Sequence, residues 1–143
     1  MVLWEDQRHR CIWLGAGDPA VEADMPSNQY LIVDDDDGYL LDPGGYNVFE
    51  RACDNVLRLL EPEAVKGIVL SHQDPDVCGA LAKWVERFPG ARVIVSGLWV
   101  RFLLHLPLDE VPAVVPLPDE GDVIRLKSGD ALRLIPAHYL HSA

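Results

Sequence analysis

The chain has 143 residues, of which 49% are hydrophobic and 24% charged, and this composition suits one globular domain with a hydrophobic core. Its net charge of −11 argues against binding to the nucleic-acid backbone, which needs basic patches. No apolar run reaches the ~20 residues of a membrane helix, and the N-terminus lacks the basic and apolar regions of a secretory signal. The composition therefore predicts a cytoplasmic protein that binds neither nucleic acid nor membrane.

The first predicted elements are two short strands at 30–33 and 39–41. The acidic run at 34–37 between them is interpreted as a solvated turn of a hairpin. A calcium site is the alternative, but the spaced ligand pattern of calcium loops is missing. After a breaker at 42–45, apolar residues at helical spacing predict a helix over 48–60.

Strands and helices alternate in the rest of the chain. The predicted elements are a buried strand at 65–70, a loop at 71–79, a helix at 80–88, a buried strand at 92–96, a helix at 98–104, an irregular proline-containing stretch at 107–118 and a hairpin of 122–126 with 131–135. This order predicts an α/β fold in a single domain spanning 1–143. Because strand ends of such sheets commonly carry the binding site, the loop at 71–79 is the first place to look for one.

That loop contains one imidazole and two carboxylates at alternating positions, His72, Asp74 and Asp76. In an extended segment residues two apart point the same way, and Pro75 favours extended backbone at the residue before it. Imidazole with carboxylates suits iron or manganese, and two carboxylates can neutralise much of a pair of divalent ions. The alternative is structural: either aspartate caps the following helix, and His72 is an ordinary half-buried histidine.

The C-terminal segment contains two further histidines after a predicted strand. His141 is the preferred additional metal ligand, and His138 is a possible ligand or a residue that supports one. The three cysteines, Cys11, Cys53 and Cys78, are widely spaced and include no Cys-x-x-Cys pair, so they predict neither a disulfide framework nor a zinc knuckle. Cys78 is interpreted as a small buried hydrophobic residue, with redox activity as the alternative.

Three segments carry a resemblance to a known family. Residues 28–32 read NQYLI, 41–45 read LDPGG and 68–72 read IVLSH. Together they resemble the opening of the metallo-β-lactamase superfamily. Hydrolases of that fold carry His-x-His-x-Asp-His, whereas its flavodiiron and oxygen-binding di-iron branch carries His-x-Glu-x-Asp. The acidic middle position of the motif at 72–76 is similar to the di-iron branch.

The resemblance implies an αββα sandwich with two irons per complete domain. His72, Asp74 and His141 would hold one iron and Asp76 the other, with no catalytic groups beyond these ligands and no other cofactor. Zinc or manganese are the alternative metals. The sequence departs from the branch by having Asp74 in place of glutamate and Val77 where many relatives have histidine.

The family pattern also continues beyond the end of this chain, with further ligands and the second half of the sandwich. We therefore expect the N-terminal part of the fold only, with the second half missing or supplied by a partner. A half-sandwich exposes the inner face of its sheet, which a second copy of the chain in a homo-oligomer would also cover.

The resulting functional hypothesis is a di-iron protein that binds O₂ as an oxygen sensor, or an oxidoreductase that reduces O₂ or NO with an external electron donor. Sensing is favoured because no electron-transfer module is visible. A metal-dependent hydrolase of the same superfamily and a metal-free interaction scaffold are the alternatives.

Overall fold

The computed structural model describes residues 1–16, 27–103 and 113–137. The strands are β1 (Val2–Glu5), β2 (His9–Gly15), β3 (Gln29–Asp34), β4 (Asp37–Leu41), β5 (Val65–Leu70), β6 (Arg92–Ser96), β7 (Val114–Leu117), β8 (Asp122–Arg125) and β9 (Ala131–Leu134). The helices are α1 (Tyr46–Leu57), α2 (Pro75–Cys78), α3 (Leu81–Arg87) and α4 (Val100–Leu103), and a 3₁₀ turn covers Pro62–Ala64. No helix within these ranges is long and apolar enough to cross a membrane.

Strands β1 to β7 lie side by side in sequence order, and β8 pairs with β9 in a separate hairpin. Neighbours are antiparallel from β1 to β4 and parallel from β4 to β7. The parallel strands therefore end at one edge of the sheet, where the antiparallel β3 begins. This site edge comprises residues 27–29, 42–45 and 71–79. The opposite turn edge comprises residues 6–9 and 34–37, together with residues 127–130 of the β8–β9 hairpin.

A single apolar core fixes the helices on the sheet. Helix α1 buries Phe49 and α3 buries Trp84, and their rings meet edge to face with centroids 4.8 Å apart. Trp84 also stacks on Phe88, at 5.9 Å. Burial of a large apolar side chain contributes roughly 1.5–3 kcal/mol, so this aromatic group anchors α3 firmly. The segment between β5 and α3, which contains the predicted metal-binding residues, is thereby held at both ends.

Most predicted elements are confirmed, because β3, β4, β5, β6, α3 and the β8–β9 hairpin lie where local patterns place them. The first helix is shorter than predicted, ending at Leu57 instead of residue 60. The N–H groups of Leu59 and Leu60 both donate to the carbonyl of Val56, at 2.9 Å, which tightens the chain into a turn. Leu60 is still buried in the core, so the apolar pattern of the sequence extends beyond the end of the helix.

Three strands were not predicted. The stretch at 107–118 was expected to be irregular because of its prolines, yet β7 lies within it and contains Pro116. Proline is tolerated there because β7 is an edge strand of the sheet, where a missing ladder donor costs little. Strands β1 and β2 also went unrecognised. Strand β1 has only four residues, Val2–Glu5, and begins with three consecutive apolar ones, so it shows no alternation, and all four are exposed.

The acidic run between β3 and β4 forms the predicted hairpin turn, with Asp36 exposed at its tip, but its first residue is buried. Asp34 has no exposed surface, and its Oδ2 accepts a hydrogen bond from the backbone N–H of Ser128 at 3.0 Å. Its Oδ1 lies 3.0 Å from Nε2 of His9. Asp35, which has a φ of 50°, pairs with Arg8 at 2.6 Å. These contacts fasten the β8–β9 hairpin to the turn edge.

Candidate metal centre

Three side chains converge at the site edge, directly after β5. His72, Asp74 and Asp76 each offer one ligand atom, and these atoms all lie within 4.8 Å of one another. All three residues are half-buried. Nitrogen and oxygen ligands bind transition metals at ~2.0–2.2 Å, so two ligands of one ion lie at most ~4.4 Å apart. The observed spacing therefore suits one ion, or two neighbouring ions, after a small side-chain adjustment.

The three side chains converge, but the loop that carries them is not extended throughout, as was expected. Asp74 is extended, with φ −69° and ψ 149°, but Pro75 then opens the short helix α2 and Asp76 lies in its first turn. Proline suits the first helical position because its fixed φ is already helical and no N–H is required there. Asp74 stands at the N-cap position, yet its side chain makes no capping hydrogen bond. Its Oδ2 instead lies 3.5 Å from Nε2 of His72, which argues against the structural alternative for Asp74.

Asp76 provides a test of whether a cation fits this site. Its Oδ1 is buried and has no hydrogen-bond partner among the described residues. Leaving a buried acceptor unpaired costs roughly 1–3 kcal/mol, and more for a charged group. A metal ion beside Asp76 would remove this cost. The set of one imidazole and two carboxylates fits iron or manganese, so the residues present suit the predicted metal.

The orientation of His72 is held by neighbours that the sequence analysis did not assign. Oγ of Ser71 lies 2.8 Å from its Nδ1, so Nε2 is the nitrogen that faces the carboxylates. The backbone N–H of Ser71 donates to Oδ1 of Asp42 at 2.7 Å. Burial raises the pKa of Asp42, against the opposing effect of its hydrogen bonds from Ser71. Asp42 has a φ of 47°, a conformation that aspartate tolerates better than most residues.

Two glycines let the connection between β4 and α1 approach the metal loop closely. A Cβ on Gly45 would lie 2.8 Å from the carbonyl oxygen of Pro75, too close for any other residue without movement of the backbone. Gly44 has a φ of +98°, and its N–H donates to the carbonyl of Val77 at 3.1 Å. In the sequence, the LDPGG segment at 41–45 is a breaker and part of the family resemblance. Its physical role is to brace the loop at 71–79.

Comparison with models of protein families matches residues 25–143 to the family described as ODP family beta lactamase. The chain belongs to this family. The match includes the loop at 71–79 and the segment at 42–45 that braces it. The α/β fold related to metallo-β-lactamases, which the sequence predicted, is thereby confirmed.

Two solved structures of ODP resemble the chain over nearly its full length. A peroxy diiron species of the chemotaxis sensor ODP is 40% identical, with a TM-score of 0.82. The apo state of the chemotaxis sensor ODP from T. denticola is 38% identical, with a TM-score of 0.79. Each comparison covers 99% of this chain and 55% of the other.

Among curated proteins, the flavo-diiron protein FprA2 of Clostridium acetobutylicum is 25% identical over 114 residues, which is 80% of this chain. The chain spans 28% of the length of that protein. The relatives of this ODP family member thus include di-iron proteins of two kinds, a chemotaxis sensor and a flavoprotein.

The two histidines of the C-terminal segment, His138 and His141, lie outside the described residues. Their assignment as a possible ligand and a ligand stays a prediction. Within the described residues, the group at His72, Asp74 and Asp76 is the candidate for holding a metal ion.

Cys78 is a buried thiol next to the candidate site, as its interpretation as a small hydrophobic residue expects. It is 3% exposed, and its Sγ donates to the carbonyl of Gln73 at 2.9 Å. Burial, and then the nearby Asp74 and Asp76 carboxylates, raise the pKa of Cys78 to about 11. A thiol of this kind is protonated at neutral pH and is a poor nucleophile. Cys11, Cys53 and Cys78 are all free, as predicted.

Proposed function

We propose that this protein holds a non-haem di-iron centre that binds O₂ or NO, and that it acts as a sensor. The observation that carries the proposal is the convergence of His72, Asp74 and Asp76 at the site edge, where one buried oxygen of Asp76 has no hydrogen-bond partner within the described part of the chain. The similarity to the chemotaxis sensor ODP, at 40% identity, supports sensing.

The ligand assignment follows the family resemblance. His72, Asp74 and His141 hold one iron, and Asp76 holds the other. When bound, the irons supply reversible binding and polarisation of a diatomic ligand. The task of the chain is to place the ligand atoms and to balance charge. Two carboxylates offset much of the charge of two divalent ions, and Ser71 keeps Nε2 of His72 directed at the site.

Elemental analysis of anaerobically purified protein tests the metal content first. It is made on this chain and on any longer natural polypeptide that contains it. About two irons per polypeptide are expected in the form, this chain or the longer polypeptide, that contains all of the metal ligands. Zinc in place of iron would favour a hydrolase, manganese would leave the ligand set in place with another metal, and no metal in either form would favour an interaction scaffold.

Oxygen consumption separates sensing from reduction. A sensor binds O₂ without steady turnover, even when an artificial reductant is supplied. Sustained consumption of O₂ or NO with that reductant would contradict the sensor and make the protein a reductase that takes electrons from an external donor. The 25% sequence identity with a flavo-diiron protein is the observation that supports this second candidate function.

Cytoplasmic location and assembly into a homo-oligomer also stay predictions. Fractionation of cells and the solution mass of the iron-loaded protein test them.

A further inference from the structure

A polar side chain is fully buried at the start of β3, next to the metal loop. Gln29 is 0% exposed. Its Nε2 donates to the carbonyl of Ser27 at 2.6 Å and lies 3.1 Å from Oγ of the same serine. Its Oε1 is buried without a hydrogen-bond partner among the described residues, and burying an incompletely bonded amide costs free energy, so core packing alone does not favour Gln29 here. These bonds fix the backbone and the hydroxyl of Ser27.

Ser27 in turn holds the residue expected to bind the second iron. Its Oγ donates to the carbonyl of Asp76 at 2.9 Å, and the two residues are 49 positions apart in the chain. The adjacent carbonyl, that of Val77, accepts the N–H of Gly44. Helix α2 has only four residues, and while its Pro75 carbonyl accepts the N–H of Gly79, the carbonyls of Asp76 and Val77 are bonded from outside the helix, by Ser27 and Gly44. External donors therefore decide where the first turn of α2 lies.

The side chain of Gln29 lies against Gly44. A Cβ on Gly44 would lie 3.3 Å from Nε2 and 3.4 Å from Cγ of Gln29. The amide is thus packed against the same glycine whose N–H holds Val77. Gln29, Gly44 and Ser27 form one support beneath Asp76. The support of His72, through Ser71 and Asp42, shares none of these residues.

We propose that Ser27 and Gln29 are positioning residues for the metal ion held by Asp76. Ser27 fixes the backbone of Asp76, and Gln29 fixes Ser27. Because Val77 stands where many relatives in the di-iron branch have histidine, this ion depends heavily on the placement of the Asp76 carboxylate. The ion held by His72 depends on Ser71 instead. The inference rests on the proposed di-iron centre.

Anaerobic Fe(II) titration against a competing chelator tests this assignment, in whichever form of the protein binds two irons. Replacement of residues that orient ligands typically weakens metal binding by roughly 10–100-fold. We expect Ser27→Ala to weaken one of the two iron-binding steps by this amount and Ser71→Ala to weaken the other. Combining the two substitutions weakens both steps, each by its own factor, because they act on different ions. Ser27→Thr, which keeps the hydroxyl, restores wild-type binding, and Gln29→Met has a smaller effect in the same direction as Ser27→Ala.

Thermal unfolding of the metal-free proteins distinguishes positioning from a general structural role. Ser128→Ala, which removes a serine hydroxyl at the turn edge, is the matched control and leaves both iron-binding steps unchanged. Unchanged iron binding in Ser27→Ala would overturn the inference, as would equal weakening of both steps together with a lowered unfolding midpoint. Absence of iron from the wild type would overturn the proposed function itself.

Discussion

A histidine and several carboxylates lie at each of the two edges of the large sheet, but their contacts differ. At the turn edge, His9 lies 3.1 Å from Asp6 and 3.0 Å from Asp34, and Ser128 donates to the other oxygen of Asp34. At the site edge, an oxygen of Asp76 is buried without a partner among the described residues. Residue types alone therefore do not identify a metal site. At the site edge the ligand atoms of His72, Asp74 and Asp76 lie within 4.8 Å of one another, whereas at the turn edge Asp34 is already held by His9 and Ser128.

The ionisation of the turn edge fits a structural role. Hydrogen bonding to Asp6 raises the pKa of His9, against the opposing effect of burial, and Asp34 and Asp130 add to the rise. Burial alone would raise the pKa of Asp34, but its hydrogen bonds with Ser128 and the nearby His9 hold that pKa below its usual value. The charged forms stabilise each other, so the cluster joins the β8–β9 hairpin to the sheet.

The largest expected effect distinguishes the two histidines. His72→Asn removes a proposed iron ligand, and we expect the iron content to fall by at least half. His9→Asn makes the same chemical change at the turn edge and leaves the iron content at the wild-type value. Elemental analysis of both variants after identical anaerobic purification measures this. Equal losses of iron in the two variants would contradict the assignment of the metal to the site edge.

The next effect is on stability and belongs to the turn edge. Asp34→Ala leaves the N–H of Ser128 and the imidazole of His9 without their buried partner, so the free energy of unfolding falls by about 2–3 kcal/mol. Urea unfolding measures the change. Asp36→Ala is the control: its side chain is 90% exposed, so the change stays within ~0.5 kcal/mol. Similar losses in the two variants would show that burial of Asp34 is unimportant.

A smaller effect is the dependence of stability on pH. Because the pKa of His9 is raised on folding above its unfolded value of ~6.5, its stabilising contribution is complete below that pH. The contribution is lost as the pH rises through the folded pKa. The excess stability of the wild type over His9→Gln is therefore larger at pH 6 than at pH 8, in urea unfolding of both proteins in the same metal state. An excess that grows with pH would contradict the arrangement of charges around His9.

The smallest effect concerns an ion pair on the surface of the turn edge. Nζ of Lys127 lies 3.7 Å from Oδ2 of Asp36, and both side chains are largely exposed. Such pairs contribute little because water screens them and two mobile side chains must be ordered. Lys127→Ala should therefore leave the urea midpoint unchanged. A clear drop would mean that this pair contributes to docking of the hairpin.

Local patterns were sufficient wherever the signal for an element lies within its own residues. The apolar runs of β5 and β6 and the turn chemistry of the β8–β9 hairpin predicted what the structure contains, whereas His72, Asp74 and Asp76 converge as expected but through helix α2 and not through an extended loop. Strand β7 was missed because proline argues against a strand unless its edge position is known. The burial of Asp34 was missed because a run of four aspartates resembles a solvated turn.

The sequence by itself determined the α/β fold, and it predicted a candidate site, with two carboxylates, in the loop after β5. Only the tertiary structure decided which residues support that site. Ser27 reaches Asp76 across 49 positions, and Asp42 reaches Ser71 across 29. Contacts between residues so far apart leave no periodic or spacing signal. They arise because parallel strands bring their carboxyl ends, and the start of an antiparallel neighbour, to one edge of the sheet.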